Sequence, residues 1–231
     1  MLSPEVCQLL GYWRSLGGGN TLPERTMLDL RKLSHIMPWM FILEMTKDGA
    51  LTYRLAGSSF EQALGKIMSG ETYYSIFSDT EQACIMEELY ATALVQGSGI
   101  LRTGALQLGA RSKFDLESIT LPFSDAKAMG GVILVGVMRP FESVGHAFID
   151  KWGELEQQLK RLFIVPSPRI VKLPHLSGRV QESLMALDVN LRVMDLPKVM
   201  EIDHSGMHHK FAEVPSFSLD QFKDTYPSVI N

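Results

Sequence analysis

Residues 39–58 read WMFILEMTKDGALTYRLAGS. Trp39–Met45 is an apolar run of strand length, and Lys47-Asp48-Gly49 is a hairpin turn signal. Leu51–Ala56 follows as a second strand, with Tyr53 and Leu55 alternating against Arg54. Downstream, Ser58–Leu64 and Tyr73–Ile76 predict short helices. Asp79 or Thr80 can cap a longer helix that runs to Val95 and stops before Gly97. Ile100–Leu108, Lys113–Pro122 and Gly131–Met138 predict three more strands. The last is almost continuously apolar, which places it centrally in a sheet. Upstream, Ser3 and Pro4 suit a helix start, and Val6, Leu9, Leu10 and Trp13 recur at helical spacing up to about Leu16. Gly17-Gly18-Gly19-Asn20 then breaks the chain. This order predicts an α+β fold: a five-stranded antiparallel sheet with helices gathered on one face.

Beyond the sheet, Pro140 starts a further predicted helix. Phe141, Phe148, Trp152, Leu155, Leu159 and Leu162 form one apolar seam, with Glu154, Glu156, Lys160 and Arg161 off it. Composition shifts near Val165. The last 67 residues hold six of the eleven prolines but only two of the nineteen glycines, so helix and sheet are both interrupted there. The expected organisation is an N-terminal flanking helix over 1–20, the sheet domain over 21–141, and an amphipathic helix over 142–164. An irregular extension over 165–231 completes it, with one short helix at Arg179–Leu187.

The chain has 231 residues, of which 45% are hydrophobic and 21% charged. That composition supplies a sizeable core and excludes a wholly disordered, collagen-like or disulfide-stapled chain. Its net charge of −4, with no basic block, argues against nucleic-acid binding, which needs clustered Lys and Arg. Cys7 and Cys84 form no metal-type pair and point to a reducing compartment. The longest apolar stretches, Ile36–Met45 and Val132–Met138, fall short of the roughly 20 residues a membrane-spanning helix needs. The N-terminus has neither the basic nor the long apolar region of a secretory signal, so a cytoplasmic location is expected.

Several local motifs follow one another in order. They are Tyr12-Trp13, Leu16-Gly17-Gly18-Gly19, Leu22-Pro23-x-Arg25, Asp29, Met37-Pro38, Tyr53-Arg54-Leu55-Ala56-Gly57-Ser58, Gly65-Lys66 and Met68-Ser69-Gly70. Together with Glu117 through Leu121-Pro122-Phe123, they resemble the small PAS-domain proteins abundant in alphaproteobacteria, over roughly residues 8–141. Leu30, Lys66 and Ser58 stand where that family usually carries proline, arginine and threonine. The resemblance implies a sensory or interaction module acting on bacterial signalling, motility or cell-cycle proteins. A PAS fold does not by itself fix a ligand or an activity.

Individual residues carry competing readings. Arg54 faces away from its strand neighbours Tyr53 and Leu55 and needs a carboxylate or carbonyl partner. Asp29 or Glu44 could supply one in a structural salt bridge, the preferred reading. The alternative is a clamp for an anionic ligand. Arg25 likewise either ties its segment to the core or binds an anion. Trp39 and Phe41 open the first strand and could line a ligand pocket with Arg54, although core packing is the commoner fate of such rings. His204, His208 and His209 stand at a metal-ligand spacing, but Ser205-Gly206 is poor helix sequence, and solvated tail histidines are preferred. His35 and His146 are not placed to ligate haem, and Cys84 lacks the context of a photoactive flavin site.

No catalytic motif is recognisable, and no metal or cofactor is expected. The function read from the sequence is a non-enzymatic, cytoplasmic regulatory module that binds a signalling protein. The alternative is a receptor for an apolar or anionic metabolite. Leu9, Leu10, Trp13, Phe148, Trp152, Leu155 and Leu159 are the expected contact residues of a homodimer, the alternative being that these helices pack on the chain's own sheet.

Overall fold

The computed structural model describes residues 2–17, 22–76, 80–108, 112–140, 155–165, 178, 181–182, 185 and 190–193. Its elements are α1 (Pro4–Gly17), β1 (Met40–Met45), β2 (Leu51–Ala56), α2 (Ser58–Leu64), α3 (Thr80–Gln96), β3 (Gly99–Leu108), β4 (Ser112–Ser124), β5 (Val132–Met138), β6 (Leu155–Val165) and β7 (Asn190–Val193). Single turns of 3₁₀ helix at Arg25–Met27, Leu30–Leu33, Met37–Trp39 and Tyr73–Ile76 punctuate the connections. The sheet runs β2-β1-β5-β4-β3-β6-β7. Its first five strands pair antiparallel, as the hydrophobic patterning requires. The hairpin is closed by Thr46, whose N–H donates to the Ala50 carbonyl at 2.9 Å.

Every residue of β5 is buried. A strand buried along its whole length must be covered on both faces, and the register shows by what. Phe41, Gly136, Thr120 and Ile100 lie in one row across the sheet. This row belongs to the face on which Tyr53, Phe60, Tyr73 and Tyr90 stack, beneath α2 and α3. A Cβ on Gly136 would lie 2.4 Å from Phe41 Cζ, so the glycine makes room for that ring. The opposite face is covered by α1, which packs on β4 and β5.

The core helices α2 and α3 share one face, as expected, and the apolar stripe of the flanking helix α1 covers the reverse side of the sheet. Val6, Leu9, Leu10 and Trp13 are all core residues. The helix expected over 142–164 is not formed in its described part: Leu155–Val165 is a strand, paired antiparallel with the whole of β3. The physical reason is the edge. In a five-stranded sheet β3 would leave a row of backbone N–H and C=O groups unpaired, and β6 satisfies them. β7 then adds in parallel to β6, so the segment expected to be irregular supplies a strand as well. Gly178, Gln181, Glu182 and Met185 are helical, in line with a short helix near Arg179–Leu187. Phe148 and Trp152 lie outside the described residues, as do His146 and the His204, His208 and His209 cluster.

Candidate functional site

Three clusters of polar side chains are built by this fold. The first holds Arg54. The β2 backbone turns its side chain away from Tyr53 and toward β1 and the end of β4. There Nη1 donates to Glu44 Oε2 at 3.0 Å and to Asp125 Oδ2 at 3.1 Å. Arg25 Nε reaches the same Asp125 oxygen at 3.6 Å. Asp125 is almost fully buried, and its other oxygen accepts the Lys127 N–H at 3.0 Å. That backbone hydrogen bond, then the Arg25 and Arg54 charges, hold its carboxyl below the usual carboxylate range against the opposing effect of burial.

Two arginines and two carboxylates therefore meet at one end of the sheet. This arrangement matches the salt-bridge reading of Arg54 and the tie reading of Arg25, with Asp125 as the shared partner. Asp29 plays a different part: its carboxylate caps the 3₁₀ turn at Leu30–Leu33 by accepting the Arg31 N–H. Replacing Arg54 with Ala should lower stability by about 1–3 kcal/mol at neutral pH, the cost of losing a partly buried charged hydrogen bond. A carboxyl held low in the folded state stabilises above its ordinary value, near 4, and loses that contribution as pH falls through the lowered value. Urea unfolding at pH 7 and pH 3 should thus show the gap between wild type and Arg54→Ala narrowing in acid. A gap that stays constant would mean that the ion pairs are not its source.

The second cluster lies on the other face. Arg102 of β3 is 1% exposed, the largest fully buried side chain among the described residues. Its Nη1 donates to the Tyr73 hydroxyl at 2.8 Å. The guanidinium carbon sits 5.9 Å from the Tyr73 ring centre and 5.8 Å from that of Tyr90, within cation–π range. Tyr73 and Tyr90 are 4.8 Å apart, Tyr53 follows at 5.8 Å from Tyr73, and Phe41 and Phe60 continue the stack. Burial pushes the Tyr53 and Tyr73 phenols up, with the Arg102 charge opposing it. Both phenols stay protonated at neutral pH, and the positive charge of Arg102 persists inside the aromatic stack.

The third cluster centres on Glu117 of β4, which neighbours Ser118, the Cα partner of Arg102. Adjacent positions of a strand face opposite ways, so Glu117 points to the α1 side. Its carboxylate accepts the Ser3 N–H at the start of α1, and its backbone carbonyl accepts the Arg139 N–H at 2.7 Å, just past β5. One buried residue thus joins the entry of the N-terminal helix to the exit of the sheet. The negative charge also complements the positive end of the α1 dipole. Burial, followed by the charges of Glu117 and Glu5, pushes the nearby Cys7 thiol up, away from the reactive thiolate form.

Trp39, Phe41 and Arg54 do not converge. Trp39 ends a 3₁₀ turn, half-buried against the core. Phe41 is buried in the aromatic stack. Arg54 occupies the ion cluster on the reverse side. Leu155 and Leu159 stand in β6 opposite Leu108 and Gly104. His35 is exposed, Cys7 and Cys84 are free thiols, and the described residues contain no group of three or more metal-ligating side chains.

Arg102, Tyr73, Tyr90 and Asp125 carry no local signal in the sequence as site residues, and Glu117 enters only as part of the family motif. Nothing local to the strand Gly99–Leu108 marks its arginine as interior. Only the cover of α3, the Tyr73 turn and β6 makes Arg102 an interior charge.

The order β2-β1-β5-β4-β3, with α2 and α3 between the second and third strands, is that of one sensory fold. A family model described as PAS domain matches residues 1–139. The chain belongs to the PAS-domain family. No curated protein matches it. The PAS match ends at the exit of β5, so β6 and β7 lie beyond the family's domain. The motif residues now have physical roles within the PAS core. The Tyr12 hydroxyl donates to the Met27 carbonyl and accepts the Asp29 N–H at 2.7 Å. Trp13 Nε1 donates to the Pro122 carbonyl at 2.7 Å. The Pro23 carbonyl accepts the Ser124 N–H at 2.9 Å. Tyr12 thus ties α1 to the segment that follows it, while Trp13 and Pro23 hold that N-terminal region against the end of β4. Among the described residues, no helix is long and apolar enough to cross a membrane.

Proposed function

We propose that this chain is a non-enzymatic regulatory PAS module that works by protein–protein contact in the cytoplasm. Signalling, motility or cell-cycle control in a bacterium of the alphaproteobacterial kind is its setting. PAS domains are signalling and sensory modules, and the observation that carries the interaction reading is the packing of the interior. Phe41, Tyr53, Phe60, Tyr73 and Tyr90 form a run of ring contacts with centroids 4.8–6.0 Å apart, between the sheet and α2 and α3. Those side chains occupy the space in which a ligand of a PAS domain would sit. The surface is then the natural output. A homodimer would use surface other than Leu9, Leu10 and Trp13, which are committed to the core.

One observation favours a second reading. Arg102 places a cation and the Tyr73 hydroxyl together in an apolar interior, and a few convergent polar groups in apolar surroundings are how small-molecule sites obtain orientation and specificity. A receptor reading would use Arg102 as its anchor instead of Arg54. Native mass spectrometry of the full chain separates the two. The interaction reading expects the mass of the polypeptide alone. A retained adduct that Arg102→Met releases would establish the receptor.

A further inference from the structure

The segment Leu155-Glu156-Gln157-Gln158-Leu159-Lys160-Arg161-Leu162 is a strand made of helix formers. Leu, Glu, Gln, Lys and Arg all stand near the top of the helix-propensity order, within a few tenths of a kcal/mol of one another. None of the eight is β-branched or aromatic, and Glu and Lys are depleted from strands. Glu156 and Lys160 are also four apart, with the acid on the N-terminal side, the favourable order for a helical ion pair. Local preference and tertiary structure therefore disagree over eight consecutive residues. Such disagreement is uncommon in evolved chains and concentrates where function requires it.

The ladder shows how the strand is nevertheless accommodated. Leu155 and Leu159 lie opposite Leu108 and Gly104, and Arg161 and Leu162 lie opposite Thr103 and Arg102. Lys160 has no partner in β3, so the register shifts by one residue there, as in a β-bulge. Leucines at a spacing of four then three, the helical pattern, would alternate out of phase along a regular strand. The extra residue brings positions 155, 159 and 162 opposite positions 108, 104 and 102 of β3, each an even number of residues from the next. One sequence thus satisfies a helical seam and, through a single bulge, a strand register.

We propose that residues 155–162 are a two-state output element. In one state they form β6 on the β3 edge, directly beside Arg102; in the other they leave β3 and wind into a helix on which Leu155, Leu159 and Leu162 share one face. The residues Phe163-Ile164-Val165, rich in strand formers, anchor the docked state. A two-state element with a gap of a few kcal/mol can be shifted by whatever binds one state better, and the minor state is then about 0.1–10% populated. This inference concerns how the module reports, and it holds whether the input is a protein or a small molecule.

Chemical-exchange saturation NMR on the full chain tests it. The wild type should show a minor state in which Glu156–Leu162 carry helical Cα shifts, while β4 and β5 keep their strand shifts. Lys160→Pro should remove that state at least tenfold, because proline breaks a helix interior but is tolerated at a bulge. The double change Gln157→Val and Gln158→Val should reduce it in the same direction through strand propensity alone, without altering the bulge. A minor state with coil shifts, or loss of β6 only together with the whole sheet, overturns the proposal. So does a helical state that persists undiminished in both variants.

Discussion

Gly57→Ala should lower stability by about 3 kcal/mol or more, the upper end of what overpacking a well-filled site costs. The residue has ordinary extended backbone angles, so the expectation does not rest on glycine's conformational freedom. It rests on proximity. An added Cβ would lie 2.3 Å from the Pro38 carbonyl oxygen and 2.5 Å from that of Met37. Those are backbone atoms of the turn that launches β1, and they cannot rotate away as a side chain would. The turn is fixed from the other side as well, because the Gly57 N–H donates to the Met40 carbonyl at 2.7 Å. Relief would have to separate the entry of β1 from the exit of β2. Gly70→Ala is the control. Gly70 has a φ of +88° but nothing within 4 Å of an added Cβ, so only backbone strain of about 1–2 kcal/mol is expected. Urea unfolding of the two variants should rank them in that order. Equal losses would show that the Pro38 contact relaxes and that the close approach is not what requires glycine.

The second large effect is expected at Arg102. Arg102→Ala removes the largest buried side chain described and leaves a void beside Tyr73 and Tyr90, for which about 2–5 kcal/mol is the usual range. Arg102→Met keeps much of the volume and removes the charge. It also takes the Arg102 donor from the buried Tyr73 hydroxyl, so a loss of about 1–3 kcal/mol, smaller than that of Ala, is expected. The contrast separates packing from charge. If Met is as damaging as Ala, the guanidinium itself holds the aromatic stack together. If Met is stable and folded, the charge of Arg102 is not what holds the stack together. Thermal unfolding of the wild type and the two variants distinguishes these outcomes.

The succession of elements along the PAS core was legible because its signals are local. The β1–β2 hairpin needs only an apolar run, a turn and a period of two, and the buried run Val132–Met138 marks itself as central. α1, α2 and α3 are written in caps, in glycine stops and in the spacing of Val6, Leu9, Leu10 and Trp13. The salt-bridge partner of Arg54 was legible in part: Glu44 lies across the hairpin, within reach of local reasoning, whereas Asp125 is 71 residues away and enters only through the sheet.

What the sequence by itself determined is therefore the set of segments that bury an apolar face, together with the residues that turn the chain between them. The tertiary structure decided which surface each face meets. It placed α1 on the reverse side of the sheet, where a helical stripe alone cannot tell a partner chain from its own. It put Arg102 among tyrosines that come from a 3₁₀ turn and a helix distant in sequence. It also made residues 155–162 a strand against their own helix propensity. An unpaired sheet edge offers a long ladder of backbone hydrogen bonds, and no pattern within that segment reveals that such an edge is waiting for it.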